Sequence, residues 1–191
     1  MKYLLLLLLS ISSYASVLPS EFGSEVSVVA DGRFEIKEKK FFKSATYLDL
    51  VTTKILKDKA QLSASAVLGS ADKHVSASFF YKISPYFSIG ASSYSSVNFE
   101  FDGEVTVLGR FPYKDFFFMP FITVSGLKEK DGKLGRFGVK TYYKDIGSVV
   151  ASILFPENRA YGGRDNKDVV YFSVGFSIPI HNVKVLDFLF D

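Results

Sequence analysis

Two side chains of this 191-residue chain have the types and spacing that nucleophilic catalysis requires. His74 and Ser76 are separated by one residue, so both would project from one face of a strand. A serine nucleophile also needs a carboxylate that orients the imidazole, and Glu100, Asp102 and Glu104 follow in the next polar stretch. Because serines are numerous in this sequence, we favour the alternative that the pairing arises by chance.

Other chemistries are excluded by composition. The chain has no cysteine, which rules out disulfides, thiolate zinc sites and cysteine nucleophiles. Its two histidines, His74 and His181, are far apart in sequence, and Gly162-Gly163 lacks the residues of a phosphate-binding loop. The 23 basic and 20 acidic residues are too balanced for a nucleic-acid partner. We therefore expect no metal, no cofactor and no nucleic acid.

The elements that must position any functional group are strands, because apolar and small polar residues alternate after residue 15. In the clearest case, Val170, Phe172, Val174 and Phe176 alternate with serine and glycine. The alternation predicts ten strands, at residues 24–30, 45–56, 60–68, 75–83, 86–96, 103–111, 116–126, 134–143, 146–155 and 169–180.

The breaks between these strands alternate in length, which indicates a closed antiparallel up-and-down β-barrel of about ten strands. Tight breaks are expected at residues 57–59, 84–85, 112–115 and 144–145, and longer polar breaks at 31–44, 69–74, 97–102, 127–133 and 156–168. Transmembrane barrels have short turns on one side and long loops on the other. Eight to twelve strands remain open; twelve would need a hairpin through Asp31-Gly32 and a last strand at 183–190.

The positions of the charges favour a membrane barrel over a soluble one. Five of the predicted strands contain no Asp, Glu, Lys or Arg. A soluble sheet normally places charges on its water-facing side, whereas a charge facing lipid costs about 2–4 kcal/mol near the midplane. The expected lipid-facing residues include Val75, Phe79, Val170, Phe172, Val174 and Phe176. The alternative is a soluble, lipocalin-like barrel with this apolar face inward.

Few charged residues fall on the opposite, lumen-facing positions. They are Glu25, Asp49, Lys82, Arg110, Arg136 and Lys140. In a narrow lumen such charges would need ion pairs or water, so they predict either a structural plug of salt bridges or an ion-selective path. Aromatic residues flank the tight breaks, as in an interfacial girdle: Tyr81, Tyr86, Phe87, Phe111, Tyr113, Phe116, Phe117, Phe118, Tyr142 and Tyr143.

The N-terminus has the features of a secretory signal peptide. Lys2 precedes the run Leu4–Leu9, and small residues occupy the −3 and −1 positions of a cut after Ala15. The apolar run is shorter than the roughly 20 residues that a spanning helix needs. We expect a signal peptide at 1–15, a barrel at 16–180, and a tail or final strand at 181–191.

The mature chain resembles the small outer-membrane β-barrels of Gram-negative bacteria, with OmpA- or OmpX-like architecture, nearest the YfaZ-like proteins. The pattern Ser173-x-Gly175-x-x-Ile178-x-Ile180 resembles the last-strand targeting signal of such barrels, although eleven residues follow it here. The resemblance implies a monomer in the outer membrane that contacts lipids, lipopolysaccharide and the barrel-assembly machinery. Its function would be structural or passive permeation of small solutes, or adhesion through the loops. His74-x-Ser76 also resembles outer-membrane lipid A deacylases, without the asparagine expected after the serine.

Overall fold

The computed structural model describes residues 18–35, 38–56, 59–69, 73–96, 101–125, 134–156 and 169–180. Their regular elements are antiparallel β-segments, and none of these residues forms a helix that could span a membrane. The segments are β1 (Ser24–Glu35), β2 (Lys40–Leu56), β3 (Ala60–Gly69), β4 (Lys73–Ser84), β5 (Phe87–Ser96), β6 (Phe101–Gly109), β7 (Phe111–Tyr113), β8 (Phe116–Ser125), β9 (Leu134–Tyr143), β10 (Gly147–Pro156) and β11 (Val169–Pro179).

The segments close into a barrel. Each strand pairs with its sequence neighbour, and β1 pairs with β11. Both β6 and β7 pair with β8 in one register, with Leu108 opposite Phe121 and Phe111 opposite Phe118. They are therefore one strand interrupted at Arg110, and the barrel has ten strands. The prediction of a closed, antiparallel, ten-stranded barrel is confirmed.

Along most of their length the strands turn apolar side chains outward and small polar ones inward. In β11, Ser173 is 9% exposed and its neighbour Val174 is 50% exposed. In β3, Gln61, Ser63 and Ser65 are buried while the alternating positions are not. The soluble, lipocalin-like alternative is wrong, because it requires the apolar face to point inward.

The first hairpin differs from the prediction. Residues 31–44 do not form a long loop, because β1 continues to Glu35 and β2 begins at Lys40. Asp31-Gly32 lies within β1, where the register with β2 shifts, and is not a turn. The side chain of Asp31 is buried, and the ring of Phe172 occupies the space that a Cβ on Gly32 would need. The twelve-strand alternative thereby loses its extra hairpin; its last strand, 183–190, lies outside the described residues.

The end of the barrel that carries the tight turns, called here the short-turn end, is filled with apolar side chains. Its core consists of Leu18, Phe80, Leu108, Met119, Phe121 and Tyr142, with Phe22, Phe117 and Val150 packed against it. Phe117 and Tyr142 therefore belong to the interior and not to an outer aromatic girdle. Apolar packing fills the lumen at this end, and further along polar residues surround a smaller buried apolar cluster of Val29, Tyr47 and Val67.

Candidate functional site: the barrel lumen

A short N-terminal segment enters the lumen at the short-turn end. This segment, Leu18–Gly23, precedes β1 and turns into the barrel at Gly23, whose φ of 82° favours glycine. The backbone N–H of Thr53 donates to the Gly23 carbonyl over 2.6 Å, which fixes the bend against β2. Leu18 and Ser20 are buried.

Hydrogen bonds to three strands hold the segment. The Ser20 N–H donates to Thr53 Oγ1 over 2.8 Å, and its hydroxyl donates to Glu25 Oε2 over 3.1 Å. The Tyr142 hydroxyl donates to the Pro19 carbonyl over 3.1 Å. The Phe22 ring meets the Tyr142 ring edge-on, with centroids 5.0 Å apart. The segment is thus held by β1, β2 and β9 together.

An ion pair attaches the segment to a further strand. Arg110, at the junction of β6 and β7, lies with its Nη1 2.6 Å from Glu21 Oε1. Its Nη2 donates to Oε1 of Gln61 on β3. Arg110 is buried, so both partners compensate a charge that is removed from water.

A second buried ion pair joins Lys140 on β9 to Glu25 on β1. Glu25 is fully buried, and Ser20 donates to its other carboxylate oxygen. Lys140 Nζ also lies 5.0 Å from the centroid of the Tyr142 ring, within cation–π range. Through Ser20, the N-terminal segment is therefore connected to Glu25 on β1 and, through Glu25, to Lys140 on β9.

A cavity of about 50 Å³, with both polar and apolar side chains in its wall, lies next to this pair. It has room for a few water molecules, each of which needs about 10–15 Å³. Asp49, Arg136, Lys140 and Glu25 contribute charges to its wall, together with serines of β1, β10 and β11. On the side toward the long loops, the buried carboxylate of Asp31 lies beside Ser173 and Tyr47, and its Oδ1 has no hydrogen-bond partner among the described residues. The arrangement can hold water or small polar groups among charges of both signs.

Paired hydroxyl groups cover much of the remaining inner wall. Ser27 and Ser177 lie 2.7 Å apart through their hydroxyl oxygens, Ser65 and Ser76 2.8 Å apart, and Thr106 and Thr123 also 2.8 Å apart. Hydroxyl pairs satisfy one another without charge and still offer lone pairs to water. The lumen beyond the short-turn end is therefore wettable.

The residues of the nucleophile hypothesis are only in part described. Ser76 points inward, is buried, and is hydrogen-bonded to Ser65. The side chains of His74 and Asp102, and the whole of Glu100, lie outside the described residues, although the backbone of His74 pairs with Ser96. Glu104 is buried in β6.

The other predicted site residues occupy the following positions. Of the six lumen charges, Glu25, Asp49, Arg110, Arg136 and Lys140 are buried inside the barrel; Lys82 is partly exposed near the tight turn after β4. Val75, Phe79, Val174 and Phe176 are exposed on the outer surface. Val170 and Phe172 are less exposed, since Phe172 packs on Gly32 and lies 4.7 Å from the ring of Phe41.

Sequence reasoning missed Glu21, Gln61 and Tyr142, which make the contacts at the short-turn end. Glu21 precedes the first alternating run, so no periodicity indicated where its side chain points. Gln61 and Tyr142 do lie on inward positions of predicted strands, and that alternation was a usable signal. Among the described residues, no group of three or more His, Asp and Glu side chains could hold a metal ion.

No family model and no curated protein matches this chain. Among solved structures, the NanC porin has a TM-score of 0.48 at 12% identity, covering 81% of this chain and 100% of its own. The KdgM porin has a TM-score of 0.46 at 11% identity, covering 81% and 99%. The outer membrane enzyme PagL has a TM-score of 0.33 at 12% identity, covering 82% and 99%. Similarities this weak transfer no function to this chain.

Proposed function

We propose that this chain is an outer-membrane β-barrel that provides a narrow, passive path for small polar solutes, exported with a cleaved signal peptide at 1–15. The observation that carries the proposal is the facing of the strands: apolar side chains cover the outside and polar ones the inside. That order suits a protein whose outer solvent is hydrocarbon.

The outer surface is apolar around the barrel, as lipid contact requires. Large hydrophobic side chains are exposed on strands all around it, among them Val28, Leu48, Leu68, Phe79, Ile89, Val107, Ile122, Phe137, Ile153 and Phe176. Soluble monomers rarely expose a contiguous apolar patch larger than about 300–600 Å². In water this surface would drive aggregation. In a bilayer the same apolar side chains would contact the hydrocarbon chains of the lipids.

Exposed aromatic side chains cluster near the tight turns. Phe111 contacts both Tyr86 and Phe87, with ring centroids 6.3 and 5.9 Å apart, and Phe116 lies 5.0 Å from Tyr143. Tyrosines are enriched where a bilayer meets water, because their rings are apolar and their hydroxyls polar. The cluster supports a membrane boundary at the short-turn end.

Closure of the sheet supports the same location. In the described residues, every barrel strand pairs on both sides, since β1 pairs with β11 and β6 with β8. Unpaired backbone groups cannot be hydrated in hydrocarbon, so a spanning sheet must have no free edge. The strands also reach the roughly 9–11 residues that a tilted transmembrane strand needs.

The inner wall supports permeation by small polar solutes. Hydroxyl pairs and charges of both signs line the lumen, and the cavity beside Lys140 accommodates water. Acidic side chains slightly outnumber basic ones among the buried residues, with Glu25, Asp31, Asp49 and Glu104 against Arg110, Arg136 and Lys140. We also propose that the protein is a monomer that contacts lipopolysaccharide and the barrel-assembly machinery. Its family would be that of the OmpA-, OmpX- or YfaZ-like barrels. We propose a pore and not an enzyme: the described partner of the Ser76 hydroxyl is Ser65, which cannot act as a general base.

Membrane extraction combined with single-channel recording tests the proposal. We expect the protein in the outer-membrane fraction, soluble only with detergent and migrating faster on a denaturing gel when unboiled. In planar bilayers it should give small, discrete currents. Solubility without detergent and migration unchanged by boiling would contradict the location. Heat-modifiable protein that remains silent in every variant tested would contradict the pore.

A further inference from the structure

We infer that the N-terminal segment Leu18–Gly23 is a removable plug that sets the permeability of the lumen. The inference rests on the proposed pore and concerns its regulation. It follows from the path of the segment, from the way it is attached, and from the charges that its departure would uncover.

The segment crosses the lumen instead of lining one wall. It is continuous with β1, and its Glu21 pairs with Arg110 at the junction of β6 and β7. In the ring of ten strands, the strand made of β6 and β7 lies opposite β1, five steps away in either direction. The guanidinium of Arg110 reaches into the lumen, where it contacts both Glu21 and Gln61, so the segment and the Arg110 side chain together obstruct the barrel from β1 to the opposite strand.

The attachment is noncovalent and lies outside the β-ladder. Leu18–Gly23 forms no strand. Apart from the Gly23 carbonyl, which accepts from the Thr53 N–H on β2, the segment is held by the hydrogen bonds of Pro19, Ser20 and Glu21, the Glu21–Arg110 ion pair, and the packing of Leu18 and Phe22. All strand pairings of the barrel begin at or after Ser24. The segment can therefore leave without breaking the sheet.

Gly23 supplies a suitable hinge between the segment and β1. Its φ of 82° lies in the left-handed region that glycine enters without steric cost, and nothing lies within 4 Å of the position of a Cβ. The Gly23 carbonyl is hydrogen-bonded to the Thr53 N–H on β2, so a rotation about the φ bond of Gly23 would move residues 18–22 while this bond and β1 stay in place.

Departure of the segment would change the charge of the lumen in a defined way. Arg110 would lose Glu21 and keep only the neutral Gln61 as a described partner, whereas Lys140 would keep Glu25 on β1. Removal of Glu21 would therefore make the short-turn end more positive by one charge, located at Arg110. Opening of the lumen should shift its ion preference toward anions relative to the lumen with the segment in place.

Two variants and a matched control test the plug in planar bilayers. One variant replaces residues 18–22 by five glycine and serine residues, and the other is Glu21→Gln. The control is Asp115→Asn, which also replaces a carboxylate by an amide at the short-turn end. Asp115 belongs to an exposed ion pair, in which its Oδ2 lies 3.4 Å from Lys144 Nζ. We expect severalfold more conductance and a reversal potential shifted toward anions for both variants, and no change for the control.

The outcomes separate this inference from the proposed pore. Variants that stay heat-modifiable but match the conductance of the wild type and Asp115→Asn would overturn the plug. A protein that is not heat-modifiable would overturn the membrane location instead. A disulfide that locks the segment in place gives a second measurement. Because the chain has no native cysteine, two introduced cysteines can pair only with each other. In the variant Ser20→Cys with Thr53→Cys, the two positions are neighbours because the backbone N–H of Ser20 donates to Thr53 Oγ1 over 2.8 Å. Once thiol titration shows that the disulfide has formed, oxidation should suppress the current and reduction restore it; equal currents in the two states would also overturn the plug.

Discussion

At the scale of single residues, the lumen depends on charges that are buried in pairs. Burying one charge alone costs several kcal/mol, so removing one partner leaves the other uncompensated. Glu25 is fully buried, and its partners are Lys140 and the Ser20 hydroxyl. The ion pair of Lys144 and Asp115 is solvated instead, since these side chains are 52% and 56% exposed. These two pairs should respond very differently to the same substitution.

Lys140→Gln should lower the free energy of unfolding by about 3–5 kcal/mol, because Glu25 would stay buried without a cation. Lys144→Gln, the matched control, should change it by no more than about 1 kcal/mol, since solvent screens the exposed pair. Glu25→Gln combined with Lys140→Gln should recover most of the loss. Denaturant unfolding in lipid vesicles gives all three values. Equal effects of Lys140→Gln and Lys144→Gln would show that the inner pair is solvated.

At the scale of elements, each strand separates two environments by alternation alone. A side chain on the outer face of β11, such as Val174, is half exposed, and its neighbours Ser173 and Gly175 are buried. A shift of one residue in register would reverse every position, so the pairing of Val174 with Ala151 and Ala30 fixes which side chains meet lipid.

Val174→Lys should destabilise the folded barrel by about 2–4 kcal/mol, the cost of a lysine near the bilayer midplane. Tyr113→Lys, on the exposed turn side of β7, should cost about 0–1 kcal/mol because lysine reaches water at the interface. Unfolding titrations in vesicles compare the two variants. A neutral effect of Val174→Lys would indicate that water covers this face.

The strands, and the side of the sheet on which each side chain lies, could be predicted from the sequence. The alternation of apolar and polar residues is a local signal, and closing the sheet into a barrel does not change it. The first hairpin could not: Asp31-Gly32 has the composition of a turn, and only the fold shows that Phe172 occupies the space over Gly32. The N-terminal segment was missed for a related reason. Leu18 and Glu21 belong to no periodic run, and the partner of Glu21, Arg110, lies on the opposite wall.

At the scale of the whole molecule, the barrel reverses the distribution found in soluble proteins. Its inside contains serine pairs, ion pairs and two apolar clusters, around Leu18 and around Val67, and large apolar side chains are exposed on every side of the barrel. Such a distribution is stable where the surroundings are less polar than the interior. The closure of the sheet without free edges suits the same surroundings.

Nitroxide labels at neighbouring positions of β11 measure most directly whether the outer face of the barrel contacts lipid. The absence of native cysteine makes each label unique. In vesicles, a label on Val174→Cys should collide more with oxygen, which concentrates in lipid, than with a water-soluble nickel complex. A label on Ser173→Cys, which points into the lumen, should not show this oxygen preference, and the difference should repeat along the strand with a period of two. A label at 174 that is more accessible to the nickel complex than to oxygen would contradict a lipid-facing outer surface.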